Sequence, residues 1–180
     1  MPLEEFHTQR LRAVPVATLS AKERSSLLEA DVVRWLPAFF HDLGSDADRL
    51  ALLQTLSQEA DVIALANETG QGIGLIILSH AFLSHSMSGE SEEGEEGEEG
   101  EEGVPVRHLG YLFAQQAWGK GYATEMLAGL QKVFRGQRVR ISGGVMQENA
   151  ASARVLQKAG FRRGAETREG EVTYVWEAMG

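Results

Sequence analysis

Apolar residues recur along this chain with two different periods. Runs with the short period of a strand cover residues 8–16, 62–66, 72–78, 104–113, 138–145, 161–167 and 172–177. Segments with the spacing of a helix lie between them, at 20–31, 32–40, 45–58, 119–135 and 149–159. Strands at both ends with helices between them predict a mixed α/β fold with a partly antiparallel sheet.

Capping and turn residues mark the boundaries of several of these elements. Ser20-Ala-Lys-Glu23 is a capping-box sequence that begins the first helix, and Ser45 begins another that runs to about Gln58. Asn67-Glu-Thr-Gly70, between two strand-like runs, predicts a tight turn. These signals divide the first half of the chain into separate short elements.

The segment from 109 to 135 combines a strand, a glycine turn and a helix. Leu109–Phe113 is strand-like, and beyond Gly119 and Gly121 the apolar residues share one helical face: Tyr122, Met126, Leu130, Val133 and Phe134. The first backbone N–H groups of a helix lack intrahelical partners and carry partial positive charge, so they bind anions. Glycines leave room for a phosphate beside them, which predicts a phosphate site in this turn.

Two common glycine-rich phosphate loops do not fit this turn. The dinucleotide fingerprint G-x-G-x-x-G needs a third glycine where the chain has Thr124. The nucleoside-triphosphate loop G-x-x-x-x-G-K-[ST] occurs nowhere in the sequence. The pattern that remains is Q-x-x-G-x-G, from Gln116 to Gly121. An ordinary tight strand-to-helix turn is the competing interpretation.

A second motif follows the strand-like residues 138–141. Asn149-Ala-Ala-Ser152 opens a helix, and Lys158-Ala-Gly160-Phe161 closes it. Asn149 is a good N-cap, and Gly160 suits the left-handed position after a helix. By itself, this segment predicts an ordinary capped helix of about three turns.

Three motifs in this order resemble the GNAT superfamily of N-acetyltransferases. Residues 116–121 are similar to its coenzyme A pyrophosphate loop, and residues 149–161 to its second signature, N-x-x-S/A followed by K-x-G-F. Residues 8–11, Thr-Gln-Arg-Leu, resemble the T-x-R-L opening of the branch that includes ribosomal-protein N-terminal acetyltransferases. Ala13 and Val14 depart from the remainder of that branch pattern.

The resemblance implies a GNAT fold and acetyl-CoA as the cofactor. The expected fold has a central, largely antiparallel twisted sheet with a splayed strand pair and flanking helices, in a single domain over residues 1–180. The turn would bind the pyrophosphate, and a backbone N–H near Leu112 or Phe113 would stabilise the oxyanion. The implied cofactor-binding residues are Tyr111, Leu112, Phe113, Gln116, Trp118, Gly119, Lys120, Gly121, Ala123, Thr124, Asn149 and Ser152.

Ser152 and His108 are the candidates for proton transfer. Many relatives protonate the departing thiolate with a tyrosine, but this chain has Leu156 at that position. By resemblance, Ser152 is the proton donor instead, and water is the alternative. His108 lies on the strand where relatives carry a general base, and its unperturbed pKa of ~6.5 suits that role. Compared with other branches of the superfamily, however, His108 falls on the opposite face of the strand from the usual general base. An α-amine with a pKa near ~8 could instead lose its proton through a chain of waters.

The acceptor pocket is expected from the helices at 20–58 and the last hairpin. Its candidate lining residues are Trp35, Phe39, Phe40, His41 and Asp42, although core packing is the simpler interpretation for most of the aromatic ones. Asp42 or a nearby acid could recognise an ammonium group.

The net charge of −9 comes from one segment. Residues 89–103 contain nine glutamates, so the remainder of the chain is neutral, which argues against a basic nucleic-acid-binding face. The Glu-Glu-Gly repeat predicts a disordered insert at about 87–103, between two strands. The alternative is that this insert acts as a tether for a basic partner or a cation.

The absence of cysteine excludes disulfides, thiolate metal sites and cysteine nucleophiles, and it favours a cytoplasmic protein. The sequence has no apolar run of 18 residues and no basic-then-apolar start, so neither a membrane span nor a signal peptide is expected. No metal site is expected, and both a monomer and a homodimer are compatible with the sequence.

The leading hypothesis is an acetyl-CoA-dependent N-acetyltransferase. It would transfer acetyl to the primary amine of a protein N-terminus or a small molecule, by direct attack in a ternary complex. One alternative is a non-catalytic acyl-CoA-binding regulator with the same fold. Another is a protein-interaction module that uses the acidic insert.

Overall fold

The computed structural model describes residues 3–80, 99–100 and 104–178. The strands are β1 (Arg12–Val14), β2 (Ala60–Ala66), β3 (Gly72–Ser79), β4 (Glu99–Gly100), β5 (Val104–Phe113), β6 (Val139–Met146), β7 (Arg162–Glu166) and β8 (Glu171–Ala178). The helices are α1 (Ala21–Leu27), α2 (Ala30–Val33), α3 (Asp46–Glu59), α4 (Tyr122–Val133) and α5 (Ala150–Lys158). Among these described helices, none has both the length and the apolar character that crossing a membrane requires.

The strands form one sheet in the order β1-β2-β3-β5-β6-β8-β7, and β4 pairs with β5 beside this path. Only the β5–β6 pair is parallel, and all the other described pairs are antiparallel. The predicted mixed α/β fold with a largely antiparallel sheet is therefore confirmed. The parallel pair is the place where the functional cleft lies.

The two faces of the sheet bury separate apolar cores. On one face α4 and α5 pack through residues such as Met126, Leu130 and Leu156. On the other face α1, α2 and α3 pack through residues such as Leu27 and Leu53. Because side chains alternate along a strand, neighbouring residues of β5 and β6 face different cores.

The first strand is shorter than the predicted 8–16. The chain reverses direction just before it, since the Thr8 N–H donates to the Leu11 carbonyl at 2.7 Å and His7 forms an isolated bridge with Arg12. The residues at 8–11 therefore form a turn whose Thr8 and Arg10 reach toward α4. Only Arg12–Val14 pair with β2.

The helix predicted at 20–31 is two helices. The capping box at Ser20 and Glu23 is present as predicted, but the chain becomes extended at Glu29, where ψ is 154°, before α2 begins. The bend lets Leu27, Leu28 and Val32 all reach the same core. The capping box at Ser45 that begins α3 is also confirmed.

The acidic insert predicted at about 87–103 lies largely outside the described residues. Its described part, Glu99–Gly100, is not a loop but β4, paired in register with Val104 and Pro105 at the start of β5.

Candidate active site

The parallel strands β5 and β6 diverge toward their C-terminal ends. They pair only from Val106 to His108 on β5, opposite Arg140 to Ser142 on β6. Further along, β5 keeps β3 as its partner and β6 keeps β8. The predicted splayed strand pair is therefore present, and one edge of β5 faces a gap instead of a neighbouring strand.

A cleft of about 390 Å³ runs from this gap to the glycine turn. A smaller cavity of about 60 Å³ continues between the splayed strands and is lined by Gly143 and Gly144. Of the residues predicted to bind the cofactor, those that line the larger cleft are Tyr111, Leu112, Phe113, Trp118, Gly119, Gly121, Ala123, Thr124, Asn149 and Ser152. Gln116 and Lys120 are exposed beside the cleft and are not among its lining residues.

The glycine turn has the backbone conformation that only glycine adopts without strain. Gly119 has φ of 71° and Gly121 has φ of 81°, with Gly121 as the N-cap of α4. A Cβ on Gly119 would meet no atom within 4 Å, so the space in front of this turn is open. The Trp118 indole N–H donates to the Phe113 carbonyl at 2.7 Å and ties the turn to the end of β5. This arrangement fits a phosphate at the start of α4.

The Thr-Gln-Arg segment before β1 holds this turn in place. Glu125, in the first turn of α4, accepts hydrogen bonds from the Thr8 hydroxyl at 2.6 Å and from the Arg10 backbone and Nε at 2.8 and 2.7 Å. The Arg10 guanidinium also donates to the Lys120 carbonyl at 3.0 Å and lies over the Tyr122 ring. We call Thr8, Arg10 and Glu125 the turn clamp.

We expect the turn clamp to stabilise the fold in a pH-dependent way. Burial raises the pKa of Glu125, but the hydrogen bonds from Thr8 and Arg10 outweigh this and the net pKa is lowered. A lowered folded-state pKa gives stability that is present above the unfolded-state pKa of about 4.3 and is lost as the pH falls toward the folded-state value. Glu125→Gln should therefore cost about 1–3 kcal/mol near pH 7 and progressively less below pH ~4.3.

Thermal unfolding of the wild type and Glu125→Gln across this pH range would measure the difference. Replacing the exposed Glu59 by glutamine is the matched control and should change Tm little at any pH. A Tm difference for Glu125→Gln that does not depend on pH would contradict the charged clamp.

Asn149 and Ser152 bring polar groups to the splayed ends of the strands. The Asn149 Oδ1 accepts a hydrogen bond from the Ser152 N–H at 3.1 Å, so the predicted N-cap of α5 is confirmed. The Ser152 hydroxyl lies 2.9 Å from the phenol oxygen of Tyr111, which comes from β5. Burial raises the pKa of Tyr111, and the hydrogen bond with Ser152 offsets part of this rise.

His108 lies on the other face of β5 from Tyr111. Side chains alternate along β5, so His108 shares the face of Leu112, which packs in the core under α1, α2 and α3. His108 is 8% exposed, is in register with Ser79 and Ser142, and is not among the residues that line either the cleft or the smaller cavity. The structure does not bring it together with Ser152, and its role as a base stays a prediction from the sequence.

Glu171 is a candidate base that the sequence analysis missed. It begins β8 opposite Met146, and a Cβ built on Gly144 would lie only 2.5–2.8 Å from its carboxyl group. The carboxyl group therefore occupies the space that the missing side chain of Gly144 leaves at the edge of the smaller cavity. Burial raises the pKa of Glu171, and the negative charge of Glu169 raises it further.

Glu171 and Ser152 lie on opposite faces of β6. A Cβ on Gly143 would point toward Leu156 of α5, so the next residue, Gly144, points to the opposite face. Trp35 and Leu36, which follow α2, line the smaller cavity together with Gly144. A signal for this site was present in the sequence, because two consecutive glycines inside a strand often mark a close approach of another group.

The predicted acceptor-pocket residues are only partly in place. Trp35 lines the cleft. Phe40 is instead buried in the core at 2% exposure, and the His41 Nε2 contacts the Val33 carbonyl at 3.1 Å. The residues that line the cleft do not include Phe39, Phe40, His41 or Asp42. Among the described residues, no group of three or more acidic, histidine or cysteine side chains could hold a metal ion.

The fold and the cleft together define a class of α/β protein that holds an extended, phosphate-bearing ligand. The anion-binding turn lies at one end of the cleft, and the open edge of β5 runs along it. Paired polar side chains lie at the other end, where the strands separate.

A family model described as an acetyltransferase (GNAT) domain matches residues 10–162. The chain therefore belongs to the GNAT acetyltransferase family, as the sequence motifs predicted. A search of curated proteins found no significant match.

Solved structures share the same fold. A GNAT-family acetyltransferase from Bacillus anthracis has 19% identity and a TM-score of 0.67, with 96% of this chain and 97% of that chain covered. The aminoglycoside acetyltransferase AAC(6')-Ib in complex with coenzyme A has 25% identity and a TM-score of 0.64, with 93% of both chains covered. A Vibrio cholerae protein assigned as a ribosomal-protein-serine acetyltransferase has 16% identity and a TM-score of 0.64, with 98% and 99% covered.

The cofactor is known for one of these relatives. AAC(6')-Ib has been solved with coenzyme A, with acetyl-CoA and with aminoglycosides such as kanamycin. Coenzyme A and acetyl-CoA are thus ligands of solved GNAT acetyltransferases, in agreement with the predicted cofactor.

Proposed function

We propose that this protein is an acetyl-CoA-dependent N-acetyltransferase that acts on a primary amine, either a protein N-terminus or a small molecule. The observation that carries the proposal is the single continuous cleft. It joins an anion-binding turn to an open strand edge, with the Ser152 hydroxyl at its far end. The Glu171 carboxyl group lies on the opposite face of β6, beside Gly144 of the smaller cavity. Family membership supports acetyl transfer, and the relatives solved with amine substrates support an amine acceptor.

The glycine turn and β5 would hold acetyl-CoA, which supplies the acetyl thioester. The space beside Gly119 is open, which leaves room for the pyrophosphate at the backbone N–H groups that begin α4. The Ala114 N–H donates to Ile73 of β3, and successive N–H groups of a strand point in opposite directions. The Phe113 N–H therefore faces the cleft and the Leu112 N–H does not. This favours Phe113, with Tyr111 in the same orientation, as the source of the oxyanion donor.

Glu171 is the group that best fits the general base. An attacking amine must lose a proton, and a carboxyl group whose pKa is raised toward neutrality accepts a proton more readily than an ordinary one. Glu171 lies on the face of the sheet that carries α1–α3, where the acceptor pocket is expected. A water molecule could carry the proton between the amine and the carboxylate.

Ser152 would protonate the thiolate from the other face. A thiol has an ordinary pKa near ~8.5, so its anion takes a proton readily at neutral pH. Direct transfer in a ternary complex then needs no covalent enzyme intermediate. Glu171 would accept the amine proton as the C–N bond forms, and Ser152 would give its proton to the sulfur as the C–S bond breaks. Exchange with solvent would then take the proton from Glu171 and return one to Ser152.

Replacing Ser152 by alanine should lower kcat about 10-fold or more and change the affinity for acetyl-CoA much less, because the hydroxyl acts only as charge develops on sulfur. Steady-state rates together with calorimetric affinity would separate the two effects. Ser57→Ala, on α3 and away from the cleft, is the control. An unchanged kcat for Ser152→Ala would remove Ser152 from the mechanism.

The proposed function is tested by titrating the protein with acetyl-CoA in a calorimeter. A thiol-release screen over small amines, aminoglycosides and N-terminal peptides would follow. Binding with turnover on one acceptor class would support the enzyme and identify its substrate. Binding without turnover over a broad panel would favour the acyl-CoA-binding regulator. No binding would overturn the assignment of the glycine turn.

A further inference from the structure

The hydroxyl groups of Tyr111 and Ser152 meet across the gap between the splayed strands. Tyr111 projects from β5 and Ser152 from the first turn of α5, and their oxygens are 2.9 Å apart. Both residues line the cleft and also the smaller cavity between the strands. This pair therefore lies where a thioester held along β5 would place its sulfur.

The hydrogen bond leaves one hydroxyl proton of the pair for the cleft. Each hydroxyl has one O–H, so one of the two must donate and the other accept. A phenol, with a pKa near ~10, is a much stronger acid than an alkyl alcohol and is therefore the better hydrogen-bond donor. The favoured direction is therefore Tyr111 to Ser152, which frees the serine O–H to point at the sulfur.

Neighbouring contacts keep Ser152 in this position. The Asn149 side chain accepts the Ser152 backbone N–H and fixes the first turn of α5. Because burial raises the pKa of Tyr111, the phenol keeps its proton throughout the neutral range and remains a donor. The Asn149 cap thus holds the Ser152 backbone, and the Tyr111 hydroxyl holds the serine oxygen.

We propose that Tyr111 is a positioning residue for protonation of the leaving thiolate, acting through Ser152. This inference rests on the proposed function. As the C–S bond breaks, the Ser152 proton moves to sulfur, and the Tyr111 proton moves to the Ser152 oxygen. Glu171 then releases the amine proton to solvent, and solvent returns a proton to the phenolate, so that both residues are restored before the next turnover. Without Tyr111, Ser152 would have to become an alkoxide with no donor beside it.

The test is a double-mutant cycle with Tyr111→Phe, Ser152→Ala and the double variant, in the full chain. The wild-type rate tests the proposed function, and the ratios between variants test the inference. We expect Tyr111→Phe to lower the single-turnover acetylation rate about 10-fold and to leave the affinity for coenzyme A within about twofold. The double variant should be within about twofold of Ser152→Ala alone, since the two residues act as one unit.

A proton inventory gives a readout that a merely structural role would not move. In mixtures of H₂O and D₂O the wild-type single-turnover rate should curve with deuterium content because two protons move together. The Tyr111→Phe rate should vary linearly. Tyr174→Phe is the matched control, because Tyr174 is a buried tyrosine on β8 that lines neither the cleft nor the smaller cavity. Thermal unfolding verifies that all variants are folded.

Three outcomes would overturn the inference. The first is a Tyr111→Phe rate within twofold of the wild-type rate, and the second is fully multiplicative rate effects in the double variant. The third is a plot of rate against deuterium content that has the same shape for the wild type and Tyr111→Phe. A wild type that binds acetyl-CoA but acetylates no amine would overturn the proposed function and this inference together.

Discussion

Replacing Glu171 by glutamine should lower kcat about 10²–10⁴-fold, the range expected when a general base is removed. The affinity for acetyl-CoA should stay within about twofold, because Glu171 lies across β6 from Ser152 and outside the glycine turn. Glutamine has nearly the same shape, so the loss would report the carboxylate itself. Steady-state rates and calorimetric affinities would measure the two effects.

The same substitution should not destabilise the fold. The folded-state pKa of Glu171 is raised, mainly by burial and then by the Glu169 charge. A carboxyl group with a raised folded-state pKa favours its neutral form, so its ionisation costs stability as the pH rises through that value. A neutral glutamine avoids this cost, and Tm near pH 7 should be unchanged or slightly higher. A large drop in Tm would mean that lost activity reflects unfolding.

Glu169→Gln provides the matched pH experiment. Removing the Glu169 charge should lower the pKa of Glu171 and move the acid limb of the kcat profile to lower pH, with kcat on the plateau nearly unchanged. The profile would be measured at a saturating amine concentration. An acid limb that does not move, or wild-type kcat for Glu171→Gln, would exclude Glu171 as the base.

Replacing Gly119 by valine should weaken coenzyme A binding by about 10–100-fold. The substitution places a side chain in the open space in front of the turn, where a phosphate would otherwise contact the N–H groups of α4. A hydrogen bond to a charged group contributes about 1.5–3 kcal/mol, and losing one of them gives an effect of about this size. Calorimetric titration with coenzyme A would measure it.

Gly136→Val is a closely matched control for this experiment. Gly136 lies just beyond the other end of α4 and has φ of 79°, against 71° for Gly119. At both glycines an added Cβ would meet no atom within 4 Å. Both variants should therefore lose similar stability through backbone strain. Only Gly119→Val should lose affinity, and equal affinities would refute the pyrophosphate assignment.

The sequence determined the elements whose signals are local. The capping boxes at Ser20 and Ser45, the N-cap at Asn149 and the left-handed glycines at 119 and 121 each depend on residues a few positions apart. The order of these elements along the chain predicted the mixed α/β fold class. The family and most of the cleft lining were predicted from the resemblance of three motifs to GNAT enzymes. A local signal survives folding because the backbone geometry that it specifies is the same in the final structure.

The tertiary structure decided the arrangement of the proton-transferring groups. Tyr111 and Ser152 come together only because β5 and β6 splay. Glu171 comes beside Gly144, a residue of the smaller cavity, only through its register opposite Met146. The same register and strand alternation place His108 on the α1–α3 face too, but outside the residues that line the cleft and the smaller cavity. Long-range pairing sets these distances, and pKa values follow from the burial and charges that it creates, so the periodicity of the sequence alone did not predict them.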